Sequence, residues 1–186
     1  MKRIVVLCLI LLVSFVCVAQ AQAPATAPKP DPELKKLQRW VGHWTYEQEY
    51  KPGPLGAGDK VTGESKVQMI LGGFFEEGWS SEKGANGVSH LLEIDGYDTT
   101  NKTFTFATFY DNGNAGSGTF SFRSASEWSF EGKLAAGGKQ YSIRGKGAFA
   151  PDMKSFSFSG EISPDGKTWS PWWEGKYTKT EPAAKK

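Results

Sequence analysis

From Gly42 onward the sequence alternates between apolar and polar residues with a period of two, and this pattern constrains the fold more than any other feature. In the first alternating segment, Trp44, Tyr46, Gln48 and Tyr50 fall on one face. Such alternation is typical of β-strands that bury one face. About ten segments of this kind follow one another with no helical stretch between them, which predicts an all-β domain.

Residues typical of tight turns separate these segments. Asn86-Gly87 indicates a two-residue hairpin, and Ser163-Pro164-Asp165-Gly166 indicates a type I turn. Short antiparallel strands joined in this way predict an up-and-down β-barrel of about ten strands, with a β-sandwich as the alternative. We favour the barrel because closure leaves no exposed strand edge.

One short helix is predicted ahead of the strands. Asp31-Pro32-Glu33 offers a capping Asp, a proline in the first turn and an acid. Leu34, Leu37 and Trp40 then recur at helical spacing. The predicted fold class is therefore all-β, an antiparallel up-and-down barrel of about ten strands with one short N-terminal helix.

The first residues have the parts of a secretory signal peptide. Lys2 and Arg3 precede an apolar run over residues 4–18, which is followed by the small-residue cleavage pattern Ala19-Gln20-Ala21. The run is shorter than the roughly 20 residues that a membrane-spanning helix needs. The predicted organisation is a signal peptide at 1–21, a flexible Ala/Pro-rich tether at 22–32, one barrel domain at 33–179 and a disordered tail at 180–186.

Signal cleavage changes the charge of the chain and removes both cysteines. The full chain has 22 Lys+Arg and 20 Asp+Glu, and the loss of Lys2 and Arg3 leaves 20 of each. A neutral domain lacks the positive surface of nucleic-acid-binding proteins, so no nucleic-acid partner is predicted. Cys8 and Cys17 leave with the signal peptide, which excludes thiol chemistry and disulfides.

We expect an exported bacterial protein, periplasmic or extracellular, with no membrane span after cleavage. The oligomeric state is left open.

Aromatic side chains dominate the apolar residues, with 12 Phe, 6 Tyr and 7 Trp in the full chain. A barrel of about eight strands is just wide enough for its own side chains or one small ligand, so ten strands should leave an interior cavity. We therefore predict binding of a small apolar or amphipathic ligand, the alternative being that the rings fill the interior. The predicted ligand contacts are Tyr46, Gln48, Tyr50, Glu77, Trp79, His90 and Tyr110.

Glu77 and His90 are the candidate catalytic residues of an alternative function, a cofactor-free isomerase or hydrolase. A carboxylate and an imidazole inside an apolar barrel can act as an acid–base pair. A turn at Asn86-Gly87 would separate them along the hairpin, whereas a turn at Gly84-Ala85 would place them diagonally across it. We expect a polar anchor for a ligand rather than catalysis, and a binding protein rather than an enzyme.

A third function is an interaction module that binds protein or carbohydrate through a surface tryptophan. Strand alternation places Trp172 on the face opposite Trp169 and Trp173. Trp172 either packs beneath the N-terminal helix or is exposed and contacts a partner. Arg144 and Lys176 are predicted to point outward.

No metal site is predicted, since the mature chain has no Cys and its two histidines, His43 and His90, are expected on opposite faces.

Four motifs follow one another along the chain after the predicted helix. They are Gly42-His43-Trp44, Ile70-Leu71-Gly72-Gly73-Phe74-Phe75-Glu76-Glu77, Gly96-Tyr97-Asp98 and the ending from Asp165 to Lys179. Together these motifs resemble an uncharacterised bacterial family of exported lipocalin-like (calycin) proteins of unknown function. The resemblance implies a barrel whose floor is closed by Trp44 beneath the helix. Some calycin-like barrels bind haem through a His on a late strand. The last three predicted strands contain no His, so no cofactor is predicted, and haem bound through His90 is not expected.

Overall fold

The structure is a computed structural model that describes residues 27–181. The predicted signal peptide, the first part of the tether and residues 182–186 of the tail lie outside the described residues.

Ten antiparallel strands form a closed barrel, which confirms the predicted fold class. Each strand pairs with its neighbours in the chain, and the last strand pairs with the first. A 3₁₀ helix (Pro32–Arg39) precedes the strands, and a single 3₁₀ turn (Leu71–Gly73) joins the second to the third. The strands are β1 (Gly42–Tyr50), β2 (Asp59–Ile70), β3 (Phe75–Gly84), β4 (Gly87–Asp98), β5 (Thr103–Tyr110), β6 (Ala115–Phe122), β7 (Glu127–Ala136), β8 (Lys139–Phe149), β9 (Ser155–Ser163) and β10 (Ser170–Thr180).

The N-terminal helix closes one end of the barrel. Asp31 caps it by accepting a hydrogen bond from the backbone N–H of Glu33 at 2.8 Å. Leu34 and Leu37 on its inner face are fully buried. The indole N–H of Trp44 donates to the carbonyl of Trp40 at 2.6 Å, which ties the first strand to the end of the helix. No helix within residues 27–181 combines the length and the apolar character needed to cross a membrane.

Several aromatic rings inside the barrel lie directly over glycines of the neighbouring strand. Trp128 is the cross-strand partner of Gly147, and Trp173 is the partner of Gly160. A β-carbon added at either glycine would collide with the ring opposite. These positions therefore require glycine because the rings need the space above the backbone.

The turn between β3 and β4 corrects the predicted hairpin. Gly84 pairs with Gly87, so the two turn residues are Ala85 and Asn86 rather than Asn86 and Gly87. Gly87 follows the turn with a φ of 107°, in the region that favours glycine. The observed pairing of β3 with β4 is thus intermediate between the pairings expected for a turn at Asn86-Gly87 and for a turn at Gly84-Ala85.

The ring-over-glycine packing predicts that Gly147→Ala destabilises the barrel whereas Gly78→Ala does not. The new methyl group at position 147 would force the Trp128 indole aside, at a cost of about 1–3 kcal/mol in the free energy of unfolding. At position 78 the methyl group would meet its nearest atoms at 3.8 and 3.9 Å, which is ordinary contact. Urea denaturation of both variants measures the difference, and equal midpoints would contradict this account.

Candidate ligand-binding site

The interior of the barrel contains a cavity of about 240 Å³. Apolar rings line most of it, and polar side chains enter from β1 to β5. Polar lining residues are Gln48, Ser65, Glu76, Ser80, Glu93, Asp95 and Thr108. None of the described residues that line the cavity is a Lys, an Arg or a His.

Three carboxylates on β3 and β4 form the most polar part of the cavity wall. Glu76 and Asp95 are direct cross-strand partners. Glu93 lies two residues before Asp95 on the same face of β4, because strand side chains alternate. Its carboxylate accepts a hydrogen bond from the Thr108 hydroxyl at 3.0 Å. The three side chains therefore share one patch of wall, hereafter the carboxylate cluster (Glu76, Glu93 and Asp95).

Two oxygens of the carboxylate cluster are buried without a hydrogen-bond partner, Glu76 Oε2 and Asp95 Oδ1. The residues are only 5% and 7% exposed. Glu93 retains some accessible surface, but the barrel wall surrounds it, so this surface faces the cavity. A buried polar atom without a partner costs about 1–3 kcal/mol, so a donor that reaches either oxygen would stabilise this wall of the cavity.

Burial raises the pKa of all three carboxyl groups. The pKa of Asp95 lies well above its ordinary value, first because burial disfavours the charged form and then because Glu93 and Glu76 repel its charge. The pKa of Glu76 is raised well above the ordinary value by burial and by the Glu93 charge. Burial also raises the pKa of Glu93, although the Thr108 hydrogen bond opposes this. These three carboxyl groups therefore retain protons at pH values where exposed carboxyl groups have lost theirs.

Tyrosine hydroxyl groups add neutral donors to the interior. Tyr50 and Tyr110 line the cavity, and Tyr177 lines it from β10. Burial is the main cause that raises the pKa of each, so all three remain protonated at neutral pH.

The wall opposite the carboxylate cluster is aromatic. In the closed order of strands β9 lies opposite β4, and the cavity lining there includes Phe158 of β9 and Trp172, Trp173 and Tyr177 of β10. An irregularity in β10 between Pro171 and Trp173 turns two consecutive tryptophans into the barrel. Their ring centroids are 4.3 Å apart. The cavity is thus polar on one side and aromatic on the other.

The structure places four of the seven predicted contact residues inside the barrel. Gln48, Tyr50 and Tyr110 line the cavity. Tyr46 is also interior, but its ring stacks on Tyr177 at 4.5 Å, and it lies beside the cavity rather than in its lining. Their role as ligand contacts stays a prediction.

The predicted inward orientation of Glu77, Trp79 and His90 is wrong. Trp79 is 52% exposed on the outer face of β3, and His90 is exposed on β4. Glu77 accepts a hydrogen bond from the outward-facing Gln68 at 3.2 Å. The reason is that β3 carries its large apolar residues on the outer surface and β4 carries most of its own there, so the rule that apolar residues point inward assigns the wrong faces.

The observed register also separates Glu77 from His90. Glu77 pairs with Ile94, four residues along β4 from His90, which is about 13 Å at 3.3 Å per residue. His90 pairs with Ser81 instead. The two side chains do not form the luminal acid–base pair that the sequence suggested, and a haem ligand at position 90 would project away from the cavity.

Trp172 is neither a surface residue nor packed beneath the helix. It is 9% exposed and packs with Leu134, Tyr141 and Ile162 at the end of the barrel away from the helix. The β10 irregularity is the cause, since it breaks the alternation on which the prediction depended. Trp172 is therefore not available as a surface contact.

The predicted outward orientation of Arg144 and Lys176 is confirmed. Both are exposed, and Arg144 pairs with Glu161 at 2.7 Å.

Sequence reasoning missed the carboxylate cluster entirely. One signal was present, because in Glu76-Glu77 two adjacent acids on a strand must point to opposite faces. With the β3–β4 turn placed one residue earlier, Glu76 also faces Asp95. No cluster of three or more His, Cys, Asp or Glu suited to a metal ion is found among residues 27–181.

The fold and the interior cavity define this protein as a closed ten-stranded up-and-down barrel with a polar patch in its lumen. The chain belongs to the DUF1579 family of proteins of unknown function, whose family model matches residues 29–179. No curated protein matches the chain at a significant level.

Similar folds occur among solved structures at low sequence identity. Rv2717c from M. tuberculosis is 13% identical, with a TM-score of 0.58 over 82% of this chain and 100% of that one. A redesigned β-barrel, mFAP0, bound to DFHBI is 10% identical, with a TM-score of 0.42 over 76% and 100%. The S-type phycobiliprotein lyase CPES from Guillardia theta is 10% identical, with a TM-score of 0.47 over 81% and 93%. The likeness to Rv2717c supports the fold alone.

The raised pKa values predict that Asp95→Asn and Glu76→Gln stabilise the protein at neutral pH. A carboxyl whose pKa is higher in the folded state contributes stability below its unfolded pKa of about 4, and this contribution is lost as pH rises through the folded pKa. The gain in the free energy of unfolding over wild type should therefore be small at pH 4 and grow toward pH 8. It amounts to about 1.4 kcal/mol for each unit by which folding raises the pKa.

Urea denaturation across this pH range provides the measurement. Glu77→Gln is the matched control, since it removes an adjacent carboxylate from the outer face of the same strand. A gain for the inner variants that does not change with pH would contradict the assignment.

Proposed function

We propose that this protein binds one small amphipathic molecule inside the barrel, in the periplasm or outside the cell. The observation that carries the proposal is the interior cavity of about 240 Å³, which has an aromatic wall facing a polar one. The export part of the proposal is supported by the leader pattern of Lys2 and Arg3 before an apolar run.

The volume of the cavity limits the size of the ligand. A cavity of about 150 Å³ holds benzene, whereas sites for drug-sized molecules have about 300–1,000 Å³. At about 240 Å³ this cavity suits a molecule with one or two rings. Such a ligand would leave the packing of the barrel unchanged.

The lining provides both kinds of contact that such a ligand needs. Phe106, Phe130 and Trp173 present ring faces and edges to an apolar body. Gln48 and Thr108 offer an amide and a hydroxyl beside the carboxylate cluster, which can fix the orientation of a polar group. Binding is favoured over catalysis by Glu77 and His90, because both of these side chains lie on the outer face.

Ligand binding can be tested by quenching the interior tryptophans with 2-(4-bromophenyl)ethanol, whose bromine atom quenches indole fluorescence at short range. Trp172 and Trp173 line the cavity, so we expect saturable quenching. Gly78→Val should weaken binding about tenfold or more, since its side chain would occupy the cavity beside Glu93.

Thermal denaturation of the Gly78→Val variant verifies that the barrel remains folded. Trp79→Ala serves as the surface control, because Trp79 is the exposed tryptophan on the outer face of β3. Quenching that is lost with Trp79→Ala but retained with Gly78→Val would place the probe on the outer surface and contradict the proposal.

A further inference from the structure

We propose that the ligand carries a protonated amine or amidine, which the carboxylate cluster binds at one wall of the cavity. This inference rests on the proposed function and deepens it by assigning the charge of the ligand.

The geometry of the cluster suits a cation with several N–H donors. Glu76 and Asp95 face each other across β3 and β4, and Glu93 lies next to Asp95 along β4. Glu76 Oε2 and Asp95 Oδ1 are buried acceptors without a donor. An ammonium group has three N–H donors and an amidinium has four, so either has enough donors for both oxygens.

The described interior contains no positive charge that balances the cluster. The lining of the cavity holds no Lys or Arg, and Arg144 is engaged with Glu161 on the outer surface. Lys179 of β10 shares the face of Tyr177 but is exposed at the helix end of the barrel, where its Nζ lies 5.2 Å from the centroid of the Trp44 ring. The other titratable side chains on the inner faces of β1, β3, β5, β8 and β10 that are buried or half-buried are five tyrosines and one acid: Tyr46, Tyr50, Tyr110, Tyr141, Tyr177 and Glu82. These groups are neutral or acidic, so a cationic ligand is the balancing charge that the site can accept.

The aromatic wall favours the same kind of ligand. Trp173 and Phe158 lie on the side of the barrel opposite β4, and with Phe106 they surround the space that an apolar body would occupy. Ring faces also attract a nearby cation. A small aryl-alkyl amine would therefore place its ammonium group at the carboxylate cluster and its ring against the aromatic wall.

Binding of a cation to this site should release protons. The carboxylate cluster keeps its protons because its carboxyl groups are buried and close together. An ammonium group stabilises the ionised carboxylates, so they lose protons when it binds. Affinity should therefore rise as pH increases from about 5 to 8, a range in which an alkyl ammonium stays charged.

The test compares three probes of similar size: 2-phenylethylamine, 2-phenylethanol and phenylacetate. Calorimetric titration of the purified protein at pH 5 to 8, in buffers of different ionisation enthalpy, measures affinity and proton release together. We expect the amine to bind about tenfold or more tightly than the alcohol at pH 7.5, with protons released. Glu76→Gln and Asp95→Asn should each reduce the preference for the amine over the alcohol to about twofold or less, whereas Glu77→Gln, on the outer face of the same strand, should leave the preference as it is in the wild type.

The outcomes separate this inference from the proposed function. Equal or tighter binding of the alcohol or of phenylacetate would overturn the cationic ligand, because protonated carboxyl groups would then be acting as donors, and the binding function would stand. An amine preference that persists in both inner variants would also overturn it. Failure of all three probes, together with failure of the brominated alcohol, would contradict the binding function itself and this inference with it.

Discussion

The pairing of β1 with β10 determines the rest of this structure, because it closes the sheet and fixes its circumference at ten strands. A ring of this size encloses more volume than small aliphatic side chains can fill. The chain fills most of that space with aromatic rings that lie across glycines of the neighbouring strands, as Trp128 does over Gly147. The rings do not fill the whole interior, and the remaining space is the cavity. The cavity thus follows from the strand number, and its chemistry follows from β3 and β4.

On β3 and β4 the usual distribution of polar and apolar residues is reversed. Glu76 and Asp95 point inward, while Trp79, Leu92 and Phe109 form a cross-strand row on the outer surface of β3, β4 and β5. Burial of carboxyl groups whose oxygens lack a hydrogen-bond partner in the protein opposes folding. Natural proteins depart from consistent patterning mainly at functional sites. The reversal is therefore the strongest physical reason to place the function in the lumen.

The sequence was sufficient for the architecture and for the inward face of most strands, but it was insufficient at the site. Alternation correctly placed Trp44, Tyr50 and Tyr110 in the interior, because apolar rings on those strands point inward. The same rule failed for Glu77, since no local pattern reports that the outer face of β3 is the apolar one. The predicted orientation of Trp172 was wrong for another reason. The irregularity in β10 changes the face on which every residue on one side of it lies. Both errors depend on register, which distant pairing decides.

The free space beside two glycines of the cavity wall affects how the lumen of such a barrel can change during evolution. Gly78 and Gly116 line the cavity, and at both the backbone has room for a β-carbon at ordinary contact distance. A side chain at either position would reshape the lumen and leave strand pairing and ring packing as they are. The scaffold therefore separates folding from the shape of the lumen, so that single substitutions at these positions can change the cavity in small steps without passing through an unfolded intermediate in evolution.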